Sequence, residues 1–172
     1  MWDKHGPGRL TLSYTKFPYS PDVFLDEFVT ILCMSARFSR RSKMRVFIVD
    51  DSSVVMERLA DLLTEIREVE LVGRASNAAA AIRSILQANP DAIILDLQMP
   101  GGSGLDVLRA IRQSHPSPWV LVCTNYPYPQ YREECMAAGA NYFLDKSAEF
   151  EKVPDILRDL IKNASKAAPT AR

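Results

Sequence analysis

Five residues of this 172-residue sequence have types that suit one shared chemistry: Asp50, Asp51, Asp96, Thr124 and Lys146. They are far apart in the chain, yet each stands at the end of a short apolar run. Asp50 and Asp51 follow RVFIV, Asp96 follows AIIL, Thr124 follows WVLVC, and Lys146 lies just beyond NYFL. Clustered carboxylates repel one another unless protons or a cation offset their charge. Hard oxygen donors with a few waters suit Mg²⁺, which takes only one or two carboxylates directly. Such a metal neutralises both a carboxylate nucleophile and an incoming phosphoryl group. Lys146 adds a point charge and Thr124 a hydroxyl for the remaining phosphoryl oxygens. An aspartate can form an acyl phosphate by direct attack, so the set reads as a carboxylate that accepts phosphate with magnesium. Taken singly, each residue has a plainer reading. Asp50 and Asp51 suit a helix entrance, Asp96 a turn, Thr124 a cap and Lys146 a solvated surface. The joint placement at strand ends is what favours the chemical reading.

That placement depends on the elements between them. Arg45–Val49 is a β-branched run that reads as a buried strand. Ser53 is the expected cap of a helix carrying Val55, Leu59, Leu62, Leu63 and Ile66 on one face. Glu70–Ala75 reads as a second strand, and Ser76 or Asn77 caps an Ala-rich helix with Ile82, Ile85 and Leu86 inward. Asn89, Pro90 and Asp91 stop that helix, and Ala92–Leu95 follows as a third strand. The loop Met99–Gly104 leads into a helix with Leu105, Leu108 and Ile111, ended by Pro116 and Pro118. Its glycines serve backbone geometry, because GGSG lacks the spacing and lysine of a nucleotide-binding loop. Trp119–Cys123 is the fourth strand, followed by a helix that Gly139 terminates. Asn141–Leu144 is the fifth, before a helix with Phe150, Val153, Ile156, Leu157, Leu160 and Ile161, where Pro154 is tolerable only near the start.

Five strand–helix pairs with near-continuous apolar strands imply a parallel sheet covered on both faces. In such sheets the functional crevice lies at the carboxyl ends of the strands, where the strand order reverses. The five residues stand at those ends.

The segments VFIVDDS, IILDLQMPGGSGLDVL, VCTN and AAGANYFLDKS resemble, in order and spacing, the four signature regions of the receiver domains of bacterial response regulators. The resemblance covers residues 44–164. It implies a flavodoxin-like (βα)5 three-layer sandwich with strand order 2-1-3-4-5. It further implies Asp96 as phosphoacceptor and metal ligand, Asp51 as a direct Mg²⁺ ligand, Asp50 as a ligand mainly through water, and the Gln98 backbone carbonyl as the last protein ligand. By the same resemblance Thr124 and Lys146 engage the phosphoryl group, and Phe143 is the aromatic that changes rotamer with it. The implied donor is a histidine kinase or a histidine phosphotransfer protein. Two positions depart from the family pattern. Ser147 stands where Pro often follows the lysine, so the loop there is expected to be either trans or strained. Asn125 replaces a commonly small residue, ahead of the stiff segment Tyr126–Pro127–Tyr128–Pro129.

Bulk properties set the remaining expectations. The chain has 21 basic and 21 acidic residues. Seven basic and four acidic residues fall in 1–43, which leaves a mildly acidic remainder with no electrostatic reason to bind nucleic acid. Cys33, Cys123 and Cys135 show no metal-ligand spacing and fit a reduced, cytoplasmic setting. His5 and His115 are isolated. No segment approaches the roughly 20 apolar residues of a membrane span, and the basic cluster follows rather than precedes the run Phe28–Met34, unlike a secretory signal. Residues 44–165 are expected to form the receiver unit and 166–172 a tail. Residues 1–43 are expected to be a poorly structured or partly helical extension, and Met44 also reads as an alternative initiator. Only about ten residues follow the last helix, whereas a DNA-binding output domain needs on the order of 60. A stand-alone switch signalling by protein contact is therefore expected. It is not expected to be an enzyme, since Gln98 occupies the position where one aspartyl-phosphate phosphatase superfamily carries its acid/base. A constitutive interaction module with an inert site is the other reading.

Overall fold

The computed structural model describes residues 43–114 and 118–167. The expectations for residues 1–42, Cys33, His115, Pro116 and the end of the tail lie outside these. Strands β1 (Met44–Val49), β2 (Val69–Ala75), β3 (Ala92–Leu95), β4 (Trp119–Thr124) and β5 (Tyr142–Asp145) pair in parallel in the order β2-β1-β3-β4-β5. This is the flavodoxin-like arrangement that the family resemblance implies. Each strand differs from its expected bounds by a residue or less at either end, so Thr124 and Asp145 close their strands rather than follow them.

Register decides what meets at the rim. Val49 pairs with Leu95, and Leu95 with Val122. Asp50 and Asp96, each one residue further on, therefore leave adjacent strands at the same level. Thr124 pairs with Asp145, which brings Lys146 out beside them.

The alternation of side chains along the strands divides the core in two. Val46, Ile48, Ile94 and Leu121 face α1 (Ser53–Thr64) and α5 (Val153–Ala167), where Leu59, Leu63, Val153 and Leu157 meet them. Phe47, Val49, Ile93, Leu95 and Val122 face α2 (Ala78–Ala88), α3 (Gly104–Ser114) and α4 (Pro129–Ala137), with Ala81, Ile85, Val107, Leu108 and Ile111. All of these strand residues are buried, and each contributes roughly 2 kcal/mol of apolar burial. The polar rim therefore rests on a rigid scaffold.

Three local features differ from expectation. Ser52, not Ser53, caps α1: its backbone is extended (φ −86°, ψ 113°) and its hydroxyl accepts from the Val55 N–H, whereas Ser53 is already helical. The Met99–Gly104 loop contains a small antiparallel hairpin, pairing Gln98–Met99 with Gly102–Ser103. Pro100 and Gly101 are the hairpin's two central residues, and Gly101 at φ +78° takes the left-handed conformation that favours glycine. Finally, α5 runs through Ala167, into the segment expected to be the tail. Other stops fall where composition placed them. Asn77 caps α2, Asn89 ends it in the left-handed region at φ 47°, and Gly139 at φ +95° ends α4.

Candidate functional site

At the carboxyl edge of the sheet, Asp50, Asp51 and Asp96 each present a carboxylate oxygen within 4.8 Å of the others. Asp50 is 2% exposed and Asp96 5%, while Asp51 lies open to solvent. Each buried acid is tied to the backbone of its own turn. Asp50 Oδ1 accepts from the Ser52 N–H at 3.0 Å, and Asp96 Oδ1 accepts from the Leu97 N–H at 2.8 Å. The backbone N–H of Asp50 donates to Ala75, and that of Asp96 to Val49, which fixes both residues at the strand ends.

The second oxygens face a shared cation. Lys146 Nζ lies 2.7 Å from Asp50 Oδ2 and 3.3 Å from Asp96 Oδ2, with its side chain 7% exposed. Burial pulls the Lys146 ammonium toward neutrality, but the Asp50 hydrogen bond and the charges of Asp96 and Asp50 outweigh it, so its pKa is raised. Burial chiefly raises the Asp96 carboxyl; Lys146 opposes this and the Asp50 charge adds to it. Beneath the cluster, burial pushes the Cys123 thiol up to about 12, so it stays neutral. Three carboxylates against one ammonium leave the site short of positive charge. A hard oxygen-only donor set with that deficit fits a divalent cation such as Mg²⁺.

Thr124 is fully buried at the end of β4. Its hydroxyl accepts from the Tyr126 N–H at 3.1 Å, and its carbonyl accepts from the Lys146 N–H at 2.8 Å. The sheet thus brings together Asp50, Asp51, Asp96, Thr124 and Lys146. Gln98 lies two residues past Asp96 on the hairpin, its backbone paired with Ser103. Phe143 is apart from the rim. It is buried under α4, where the Arg132 guanidinium lies 4.7 Å from the ring centroid.

Residues that the sequence reading passed over also shape the site. Gly104 N–H donates to the Leu97 carbonyl at 2.9 Å, and a Cβ there would overlap the Asp96 carbonyl oxygen. Only glycine lets α3 start this close to the Asp96 turn. Ser103 and Asp106 cap α3 reciprocally, a Ser-x-x-acid signature that was legible in the sequence. The turn after β5 is closed by Asp145 and Glu149, which no motif flagged.

Comparison with known proteins agrees with this geometry. The family described as response regulator receiver domain matches residues 46–158. The chain is 30% identical over 126 residues to the uncharacterized transcriptional regulatory protein YvfU of Bacillus subtilis, covering 73% of this chain and 63% of that one. It is 34% identical over 131 residues to a protein-glutamate methylesterase/protein-glutamine glutaminase of Hahella chejuensis, covering 72% of this chain and 34% of the relative. It therefore spans less than two thirds of either relative. The signal receiver domain of the putative response regulator NarL from Mycobacterium tuberculosis superposes with a TM-score of 0.65 at 30% identity, covering 71% of this chain and 98% of that one. The chain belongs to the response regulator receiver domain family of two-component systems.

Proposed function

We propose that residues 44–165 act as a phosphorylation-controlled switch in which Asp96 accepts a phosphoryl group from a phosphohistidine of a histidine kinase or phosphotransfer protein. The observation that carries this reading is the Lys146 ammonium shared between Asp50 and Asp96 beside the three-carboxylate cluster. An Asp96 carboxylate oxygen attacks phosphorus, the phosphorus–nitrogen bond to the donor imidazole breaks, and its electron pair leaves with the imidazole. Lys146 is the group that pairs with the transferred phosphoryl oxygens. Thr124 is the second contact: its hydroxyl oxygen already accepts from Tyr126, which leaves its proton to donate.

The carboxylates of Asp50, Asp51 and Asp96 and the backbone carbonyl of Gln98 would hold Mg²⁺. When bound, the ion supplies neutralisation of the charge that gathers between carboxylate and phosphoryl group. Phosphorylation adds about 1 to 1.5 negative charges beyond the carboxylate, enough to draw in Thr124 and to alter the setting of Phe143. In this reading the chain turns over no separate substrate, and its readout is protein contact by the receiver surface. The activities named for its longer relatives are not carried over, because the matches span at most 63% of the two described above.

The test is incubation with Mg²⁺ and acetyl phosphate, followed by intact mass. Wild type should gain one phosphoryl group and Asp96→Asn none. A folded wild type that gains no mass would refute the reading.

A further inference from the structure

We propose that Asp145 is a positioning residue for Lys146, holding that ammonium on the acidic cluster through a turn closed by its own carboxylate; the inference rests on the role given to Lys146 above. Asp145 Oδ1 accepts from both the Ser147 backbone N–H at 2.8 Å and the Ser147 hydroxyl at 2.6 Å. The Asp145 N–H donates to Glu149 Oε2 at 3.0 Å, and the Glu149 N–H donates back to the Asp145 carbonyl at 2.7 Å. Lys152 Nζ holds the other Glu149 oxygen at 2.8 Å. Lys146 sits inside this ring of bonds, and its own N–H is anchored on Thr124.

Phe150 anchors the far end of this segment in the core. Between it and Lys146, Ser147 and Ala148 are exposed, and hydrogen bonds to the Asp145 and Glu149 carboxylates and the Asp145 carbonyl set the path of the chain. A lysine side chain has considerable rotamer entropy to lose. It reaches Asp50 and Asp96 together only from a fixed Cα. The Asp145 carboxylate accepts from Ser147, so it acts on Lys146 through the backbone of the turn. Ser147 therefore supplies both donors of the closure. The trans Lys146–Ser147 bond is accommodated by the same turn.

The experiment compares the 172-residue wild type with Asp145→Ala, Asp145→Asn and Ser147→Ala. The first readout is the Lys146 side-chain resonance in metal-free protein, which reports the ion pair whether or not phosphorylation occurs. The second is the rate of phosphorylation against acetyl phosphate concentration. Asp145→Ala should move the resonance toward that of a free lysine and lower the maximal rate about tenfold, the scale expected for a reacting group held slightly off position. Asp145→Asn keeps an acceptor oxygen and should recover most of both; Ser147→Ala should shift both by less than Asp145→Ala. An unmoved resonance and rate in Asp145→Ala overturn the proposal. So does a fall in melting temperature alone, or a loss that Asp145→Asn fails to recover. A wild type that takes up no phosphoryl group refutes the switch reading instead, and the resonance then decides the turn.

Discussion

Lys146 Nζ lies between Asp50 Oδ2 at 2.7 Å and Asp96 Oδ2 at 3.3 Å, so one ammonium is shared by carboxylates from two different strands. Removing it leaves two nearly buried acids without their cation. Lys146→Met should therefore lower the stability of the metal-free protein by about 2 kcal/mol in urea unfolding. The same change should tighten Mg²⁺ binding in a calorimetric titration, because the ion no longer competes with the ammonium for Asp50. Weaker Mg²⁺ binding in this variant would mean that the lysine supports the metal site rather than opposing it.

The Asp96 carboxyl is raised by burial foremost, with Asp50 adding to the effect and Lys146 partly offsetting it. A raised carboxylate pKa means that the folded state binds more protons than the unfolded one, between the unfolded value and the raised folded one. Stability of the metal-free protein therefore falls as pH climbs through that window, and Asp96 remains a cost above it. Asp96→Asn should melt higher than wild type at neutral pH without metal. The advantage should vanish below the ordinary carboxylate range and shrink when Mg²⁺ is added to wild type. Equal melting temperatures at neutral pH would show that Lys146 fully offsets the burial.

Gly101 and Gly104 lie on the same loop and answer to different constraints. Gly101 stands at φ +78° with no atom near a built Cβ, so Gly101→Ala should cost about 1 kcal/mol of backbone strain. Gly104→Ala drives a methyl into the Asp96 carbonyl and should cost about 3 kcal/mol or shift the loop. Phosphorylation by acetyl phosphate should survive the first change and drop sharply with the second. Similar losses in both variants would show that the Asp96 turn tolerates movement.

The parallel strands and the five rim residues were legible because two signals coincide, whereas the strand order came only with the family resemblance. Apolar runs such as RVFIV and AIIL mark buried parallel strands, and polar residues directly after them fall at one edge. What was illegible depends on atoms that meet only in the folded chain. Gly104 looks like one more loop glycine until Asp96 comes back within contact of it. Asp145 and Glu149 carry no motif in FLDKSAEF, since closure of the turn is a matter of backbone direction. Ser52 and Ser53 were interchangeable by type, and only the extended backbone of Ser52 selects the cap. Phe143 was legible as core, but its contact with Arg132 needed α4 to lie across β5.

Arg132 links α4 to β5 at that ring. Its Nη1 donates to the Phe143 carbonyl at 3.0 Å while its Cζ lies over the ring, and Cys135 is the only buried residue of α4 itself. The Arg132 side chain ties the helix to the strand beside the packing of Cys135 and Tyr131. Arg132→Ala should lower stability by about 1–2 kcal/mol, combining a partly exposed cation–π contact with a charged hydrogen bond. Arg132→Lys should fall between, since a lysine keeps the cation but not the planar fork. Amide hydrogen exchange offers the sharper measurement. Exchange in α4 should quicken in unphosphorylated Arg132→Ala, because the helix loses one of its ties to β5. If Phe143 moves with the phosphoryl group, as proposed, that tie is also what phosphorylation strains. The difference in α4 exchange between phosphorylated and unphosphorylated forms should then narrow in the variant. An unchanged difference would place the switched face away from α4 and Phe143.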